Sequence, residues 1–551
     1  MVIGKVARMA CLAVLVPLTG ALASSFPSTS GVPAHPDNKT IVHLLNRLGF
    51  GPSPGDVARV RRIGFERYID EQLRPGTRED AGLEGRLAGL DTLRMSSREL
   101  AETYFVPALL ERRRTQQRTA SLPAGAEPGS QREMRTPELR DLMQAQRRVF
   151  TDLAQQKILR AVYSQRQINE VMVDFWFNHF NVFAGKGQTR NYLTEYERET
   201  IRPNVLGKFR TLLAATAQSP AMLFYLDNWQ SAAPEGAPTS AGARRAAMGR
   251  EAGRRGRTGL ARRRTMADLP ATALNRRPRG LNENYARELM ELHTLGVDGG
   301  YTEKDVQEVA RAFTGWTIAN PRQGGGFQFE ARMHDDGEKT VLGHRLEAGG
   351  GRRDAEEVLN ILAAHPSTAR FISAKLARRF VADDPPAPLV DRAAARFSET
   401  GGDIREVVRT IVTSPEFFSP ASHRAKVKTP FEFVAASLRA TAAEVTDAMP
   451  LVQAMRDLGM PLYQCQPPTG YADRAEAWVN AGALLNRMSF AVALTTGRLR
   501  GVSTGVALKE TLVNEVLAGE LTPSTRTTVA KASTPSQAIA LLLGSPEFQT
   551  R

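Results

Sequence analysis

A chain of 551 residues, 42% of them hydrophobic, can fill several cores, which excludes a disordered or collagen-like protein. Two cysteines exclude a disulfide framework. The net charge of +15 would suggest nucleic acid, but twelve Arg and only two acids lie between residues 244 and 279, so ten of the fifteen excess charges fall in one Gly/Ala/Arg-rich stretch.

Residues 1–23 read as an export signal. Lys5 and Arg8 precede the apolar run Met9 to Leu18, and Ala21-Leu22-Ala23 offers a small-residue cleavage site. The run is too short for a bilayer, and no later segment approaches the roughly 20 apolar residues of a membrane helix. The expected mature chain is exported, to the periplasm or outside the cell, with no transmembrane span. It keeps only Cys465, so an internal disulfide and a cysteine-based zinc site are both ruled out.

After a flexible segment at 24–38, the spacing predicts a mainly α, multi-helix globular protein. Val57, Val60, Ile63 and Phe65 recur at helical intervals within an N-terminal helical segment, 39–114, and a polar stretch at 115–136 reads as a flexible insertion. A central helical block follows at 137–345, with Ile168, Val171, Met172 and Phe175 on one face. The Arg-rich stretch 230–279 lies within this block, so it reads as a disordered loop and not a domain boundary. One small β-hairpin insertion is expected near 326–345: Phe327 and Phe329 alternate with polar residues, Asp336-Gly337 supplies a turn, and Thr340 to Leu342 return. Residues 346–551 form a C-terminal helical region, where Ile372, Leu376, Phe380 and Phe431, Val434, Leu438 keep the three-four spacing. Ser-Pro-Glu-Phe occurs twice there, at Ser414 and Ser545, and reads each time as a helix start.

Three segments concentrate polar chemistry. The stretch 282–316 carries Asn282, Glu283, Asn284, Arg287, Glu288, Glu291 and His293 ahead of a stop at Gly296, a new helix start at Thr302 and Gly315-Trp316. Asn282 or Asn284 can cap its helix, Arg287 and Glu291 are placed for an ion pair one turn apart, and His293 suits a helix end. Asp174, Asn178 and His179 sit among Trp176, Phe177 and Phe180, where buried amide and imidazole groups must find partners. His334-Asp335 and Lys339 flank the Asp336-Gly337 turn, a position suited to metal binding, acid-base chemistry or a plain charged turn. Gly501-Val-Ser-Thr-Gly505 lacks the buried strand a nucleophile elbow needs, and Asp298-Gly-Gly-Tyr-Thr-Glu303 lacks the alternating acids of a calcium loop.

With these residues in place the chain resembles a bacterial family catalogued as domain of unknown function 1800. The resemblance runs from His43-Leu-Leu-Asn-Arg-Leu-Gly-Phe-Gly51 through Trp176-Phe-Asn-His-Phe180, Pro220 to Asn228, the 282–316 stretch and His334 to Gly343. It continues through Phe380 to Pro386 and Thr429-Pro-Phe-Glu-Phe433 to Pro467–Trp478. It implies export and a neighbour resembling sulfatases and alkaline phosphatases as a partner, and it implies no activity. Phe177 stands where many members have His, and His293 where many have Phe. This favours Asn178, His179, Asn282, Glu283, Asn284, Arg287, Glu288, His334, Asp335 and Lys339 as site residues.

Two functions follow. One is a helical envelope protein that acts with a partner protein or with an anionic polymer through the Arg-rich loop, with no specific nucleic acid. The other is an exported enzyme, a metal-assisted hydrolase in one form. There His179, Glu288, His334 and Asp335 are ligands or acid-base groups, and Asn178, Asn282, Glu283, Asn284, Arg287 and Lys339 bind. No metal or cofactor identity follows from the sequence.

Overall fold

Helices begin where the sequence supplies a cap. Asp37, Asn282, Thr302, Asp403, Thr429 and Ser545 each accept a backbone N–H of the first turn, and Thr302/Asp305 and Thr429/Glu432 form reciprocal capping boxes. In this computed structural model the described residues are 31–33, 36–74, 80–120, 137–239, 280–505 and 509–551. Residues 1–23, read as an export signal, residues 121–136 of the polar insertion and residues 240–279 of the Arg-rich stretch lie outside them. The helix Val106–Ala120 occupies the first positions of the stretch read as an insertion, and the long helix Pro137–Tyr163 starts directly after it.

The fold is mainly α. The helix Gln167–His179 runs through its centre and is buried almost all round, with Ile168, Val171, Met172 and Trp176 essentially inaccessible. A helix buried on its polar side must satisfy that side: Glu170 pairs with Arg202 at 2.7 Å, and the Trp176 indole donates to the Val205 carbonyl at 3.0 Å. The C-terminal region stacks the helices Pro366–Phe380, Ala387–Glu399 and Ile404–Val412, with Ile372, Leu376 and Phe380 in the core as their spacing predicts. Of the two Ser-Pro-Glu-Phe copies, the second starts the short helix Pro546–Gln549, while the first forms a turn in which Ser414 accepts the Phe417 amide. No described helix is long and apolar enough to cross a membrane.

The β structure corrects the expected pairing. β1 (Trp316–Ile318) pairs antiparallel with β2 (Phe327–Phe329), and β3 (Lys339–Val341) with β4 (His344–Leu346). The expected single hairpin is therefore two, and the Asp336-Gly337 dipeptide joins neither pair. The second hairpin turns at Leu342-Gly343, both at positive φ (49° and 80°), the geometry that matches strand twist in a two-residue turn. Leucine gives no sequence signal for such a position. A third small sheet pairs β5 (Glu444–Val445) with β6 (Val502–Ser503).

Candidate functional site

The three polar segments do not assemble into one site. Among the described residues no hydrogen bond joins the side chains of His179, Glu288 and His334, and no three His, Cys, Asp or Glu side chains group as a metal would require.

Among the described residues the buried donors around His334 are engaged, and the Asp336 carboxylate lies 4.0 Å from the His334 Nε2. His334, fully buried, faces the Thr314 carbonyl with Nδ1 at 2.9 Å and Asp354 with Nε2 at 3.2 Å. Lys339, also buried, spends its three protons on Asp354 (2.6 Å), the Asp335 carbonyl (2.6 Å) and the Gly337 carbonyl (2.8 Å). Arg311 holds Asp335 through two nitrogens, at 2.8 and 3.2 Å. Burial opposes the charge on Asp354, yet hydrogen bonds from His334 and Lys339 hold its carboxyl below the usual range. This constellation ties β3 to the helices on either side.

The helix Glu283–Glu291 is also largely occupied. Asn282 caps it through the Tyr285 amide and donates to the Leu226 carbonyl at 2.6 Å. Arg287 lies 3.7 Å from Glu291, as the spacing predicts, and closer, at 2.7 Å, to Glu303 on the next helix. Asn284 is exposed, Glu283 is half-buried, and His293 is buried with its imidazole pushed down to about 3 by desolvation, then by Lys375. Glu288 is half-buried, and desolvation, with Glu291 next to it, raises its carboxyl.

Only Asn178 and His179 of the expected residues line the cavity that gathers unpaired charge. It has a volume of about 310 Å3 and lies between the end of the helix Gln167–His179, the helix Pro366–Phe380, the start of the helix Pro430–Ala440 and the loop 469–474. Asn178 pairs with the Tyr471 backbone through both amide atoms, at 2.8 and 2.7 Å, and Asn181 donates to the Cys465 and Pro467 carbonyls at 3.0 and 2.8 Å. Two asparagines thus clamp the loop that closes the cavity. Gly470 is required there: its φ is +74°, and a Cβ would lie 2.3 Å from the Asn178 carbonyl oxygen. Gly470→Ala is expected to cost about 1–3 kcal/mol and to open the loop first, which limited proteolysis between 467 and 474 would detect.

Most of the charge around this cavity is paired. Asp174 meets Lys157 at 2.7 Å, Asp473 meets Lys426 at 2.8 Å and Arg474 meets Asp384 at 2.8 Å. Glu432 is shared by Arg379 and Arg551 and takes the Thr429 amide at 2.8 Å. Two cations are left over. Among the described residues Arg378 donates from Nε to the Asp383 carbonyl at 2.9 Å and pairs with no carboxylate. The Lys375 ammonium makes no hydrogen bond or ion pair there: the Phe371 ring lies 5.4 Å away, and Asp473, already held by Lys426, acts on it only through its charge. Burial, then the Arg378 charge beside it, push Lys375 down to about 8, so it stays a cation at neutral pH. His179 places Nε2 3.2 Å from the His293 carbonyl, which fixes the proton on that nitrogen and makes Nδ1 an acceptor with no hydrogen-bond partner among the described residues. Desolvation, Lys375 and His293 hold His179 well below its ordinary value, hence neutral.

Lys375, Arg378, Arg379, Glu432, Asp473 and Arg474 were not singled out from the sequence. The signal was present in another form: the segments at 176–180, 429–433 and 467–478, which carry the family resemblance, all reach this one cavity.

A family model described as "Protein of unknown function (DUF1800)" matches residues 43–550. No curated protein and no solved structure matches the chain.

Proposed function

We propose that this chain, which belongs to the DUF1800 family, is an exported helical protein whose cavity takes a carboxylate, phosphate or sulfate group. The observation that carries this reading is the half-buried Lys375 ammonium beside the half-buried Arg378 in a cavity whose acids are all committed to other cations. A half-buried cation without a carboxylate is costly, and an anion bridging Lys375 and Arg378 removes that cost. Such a group is presented by an acidic envelope polymer or by a small anionic metabolite. The Arg-rich stretch would add attraction for the former, and a sulfatase- or phosphatase-like partner would share the same ligand chemistry. Export rests on the N-terminal sequence.

Titration calorimetry of the full mature chain with galacturonate, inorganic phosphate and sulfate tests the reading, with galactose as the neutral control. At least one anion should bind saturably at pH 7, and affinity should fall as pH rises through about 8, where Lys375 loses its proton. Lys375→Met should weaken binding by about 10- to 100-fold, the worth of one charge-assisted hydrogen bond. Binding that ignores both pH and Lys375→Met would overturn it.

The enzymatic alternative is supported by His179, a neutral imidazole with a free acceptor nitrogen beside an anion-holding lysine. In that reading Lys375 holds the substrate and His179 receives a proton. A pH-dependent turnover lost in His179→Gln, with anion affinity retained, distinguishes it from binding alone.

A further inference from the structure

We propose that a second cavity, of about 460 Å3, binds a neutral, hydroxyl-rich ligand of the saccharide class. It shares no lining residue with the cationic cavity and stands independently of the function proposed for it. Its walls are Ser96–Arg98, the turn around Tyr192 to Thr200, the junction at Gln218–Pro220 and the loop Gly324-Gly325-Gly326-Phe327.

The three glycines have different reasons. At Gly324 a Cβ would lie 2.1 Å from the Ser97 carbonyl oxygen, and at Gly325 1.5 Å from the Ala319 carbonyl oxygen, so backbone approach demands both. Gly326 has no left-handed φ, and nothing lies within 4 Å of where its Cβ would be. Gly326 is exposed, so it leaves the mouth of the cavity clear of any side chain.

The polar groups around that space are unfinished and of both kinds. Ser97, 3% exposed, has a hydroxyl with no hydrogen-bond partner among the described residues. The amides of Gly324 and Gly325, both buried residues, donate to no acceptor there. Buried donors in this state call for a partner. On the acceptor side, Glu195 uses one oxygen on the Ser97 amide at 2.9 Å and Glu199 uses one on Arg198 at 2.7 Å, leaving the second oxygen of each for a ligand. Glu195 and Glu199 balance Arg98 and Arg198, so the cavity offers an anion no excess positive charge. A sugar hydroxyl donates and accepts at once, so it satisfies both sets. The half-buried Phe327 ring supplies an apolar surface, the turn Tyr196–Ile201 is π-helical, a form frequent at functional sites, and the volume falls in the range of about 300–1,000 Å3 usual for ligand pockets.

The test is calorimetric and saturation-transfer titration of the full mature chain with glucose, galactose, mannose, N-acetylglucosamine, maltose and cellobiose, with galacturonate and phosphate as charged comparators. At least one neutral sugar should bind saturably at millimolar concentration or tighter. Ser97→Ala, which removes the buried unpartnered hydroxyl, should weaken it several-fold with an unchanged melting temperature, and Gly326→Leu, which adds bulk at the mouth, should weaken it further in combination. Three results would each overturn the assignment: no sugar of the panel binds, binding is unchanged in Ser97→Ala, or a charged comparator fills this site more tightly than any neutral sugar.

Discussion

Glu432→Gln should destabilise the fold by about 3–5 kcal/mol, the usual cost of removing one partner from a buried ion pair. Glu432 is 3% exposed, and its carboxylate answers Arg379 and Arg551, themselves 5% and 2% exposed. The amide variant keeps the size, but its single oxygen can serve Thr429 or the two arginines and not both, so an acceptor is lost together with the charge. It leaves two buried guanidiniums facing each other near Arg47, which is fully buried with one hydrogen bond, to the Ser422 carbonyl. The measurement is urea or thermal unfolding at pH 7. Glu303→Gln serves as the control: Glu303 pairs with Arg287 on the surface, and its loss should change stability by under about 1 kcal/mol. The pH dependence has a definite sign. Burial works against the Glu432 charge, but Arg379 and Arg551 hold the carboxyl well below its ordinary value of 4.5. A depressed carboxyl stabilises the fold fully above that ordinary value and loses the contribution as pH falls beneath it. The gap between the parent and Glu432→Gln should therefore be widest near neutrality and close in acid. Equal stability at pH 7 would refute the assignment of Glu432 as the anchor beneath the cavity.

Lys339→Met should cost a similar amount, about 3–5 kcal/mol, for a related reason. Methionine fills the apolar stem but strands the Asp354 carboxylate and the carbonyls of Asp335 and Gly337. Asp354→Leu alone should be equally damaging, because Lys339 and His334 then lose their shared acceptor. The double variant Lys339→Met/Asp354→Leu should recover part of the loss, since both unpaired charges disappear together. Such recovery in thermal unfolding marks a structural pair. If Lys339→Met melted like the parent while losing a ligand, the constellation would belong to a binding site.

Much of the fold was legible from local patterns. The apolar spacings at 168–175, 372–380 and 431–438 became buried helix faces, and Asn282, Thr302 and Ser545 became the helix caps that their type predicts. Capping and amphipathic spacing are local, decided within one or two turns. The β-hairpins were half legible. Phe327 to Phe329 is a strand as its alternation suggested, but its partner is Trp316–Ile318, where no strand was expected. Strand pairing is a contact between segments, and a three-residue strand carries too little pattern to name its partner.

The candidate sites divide along the same line. The sequence by itself determined which residues carry unusual chemistry: His179, Glu288, His334, Asp335 and Lys339 were all visible as polar groups among apolar ones. It could not say which of them would find partners within the protein. A buried charge has chemical potential for a ligand only when no other side chain satisfies it, and that depends on distances between segments far apart in the chain. Lys339 meets Asp354 and is satisfied, whereas Lys375, unremarkable on its helix, faces Arg378 and feels only the charge of Asp473, which Lys426 already holds. The tertiary structure alone decides between these outcomes, because ion pairing acts over a few ångströms and the chain brings its partners together only on folding.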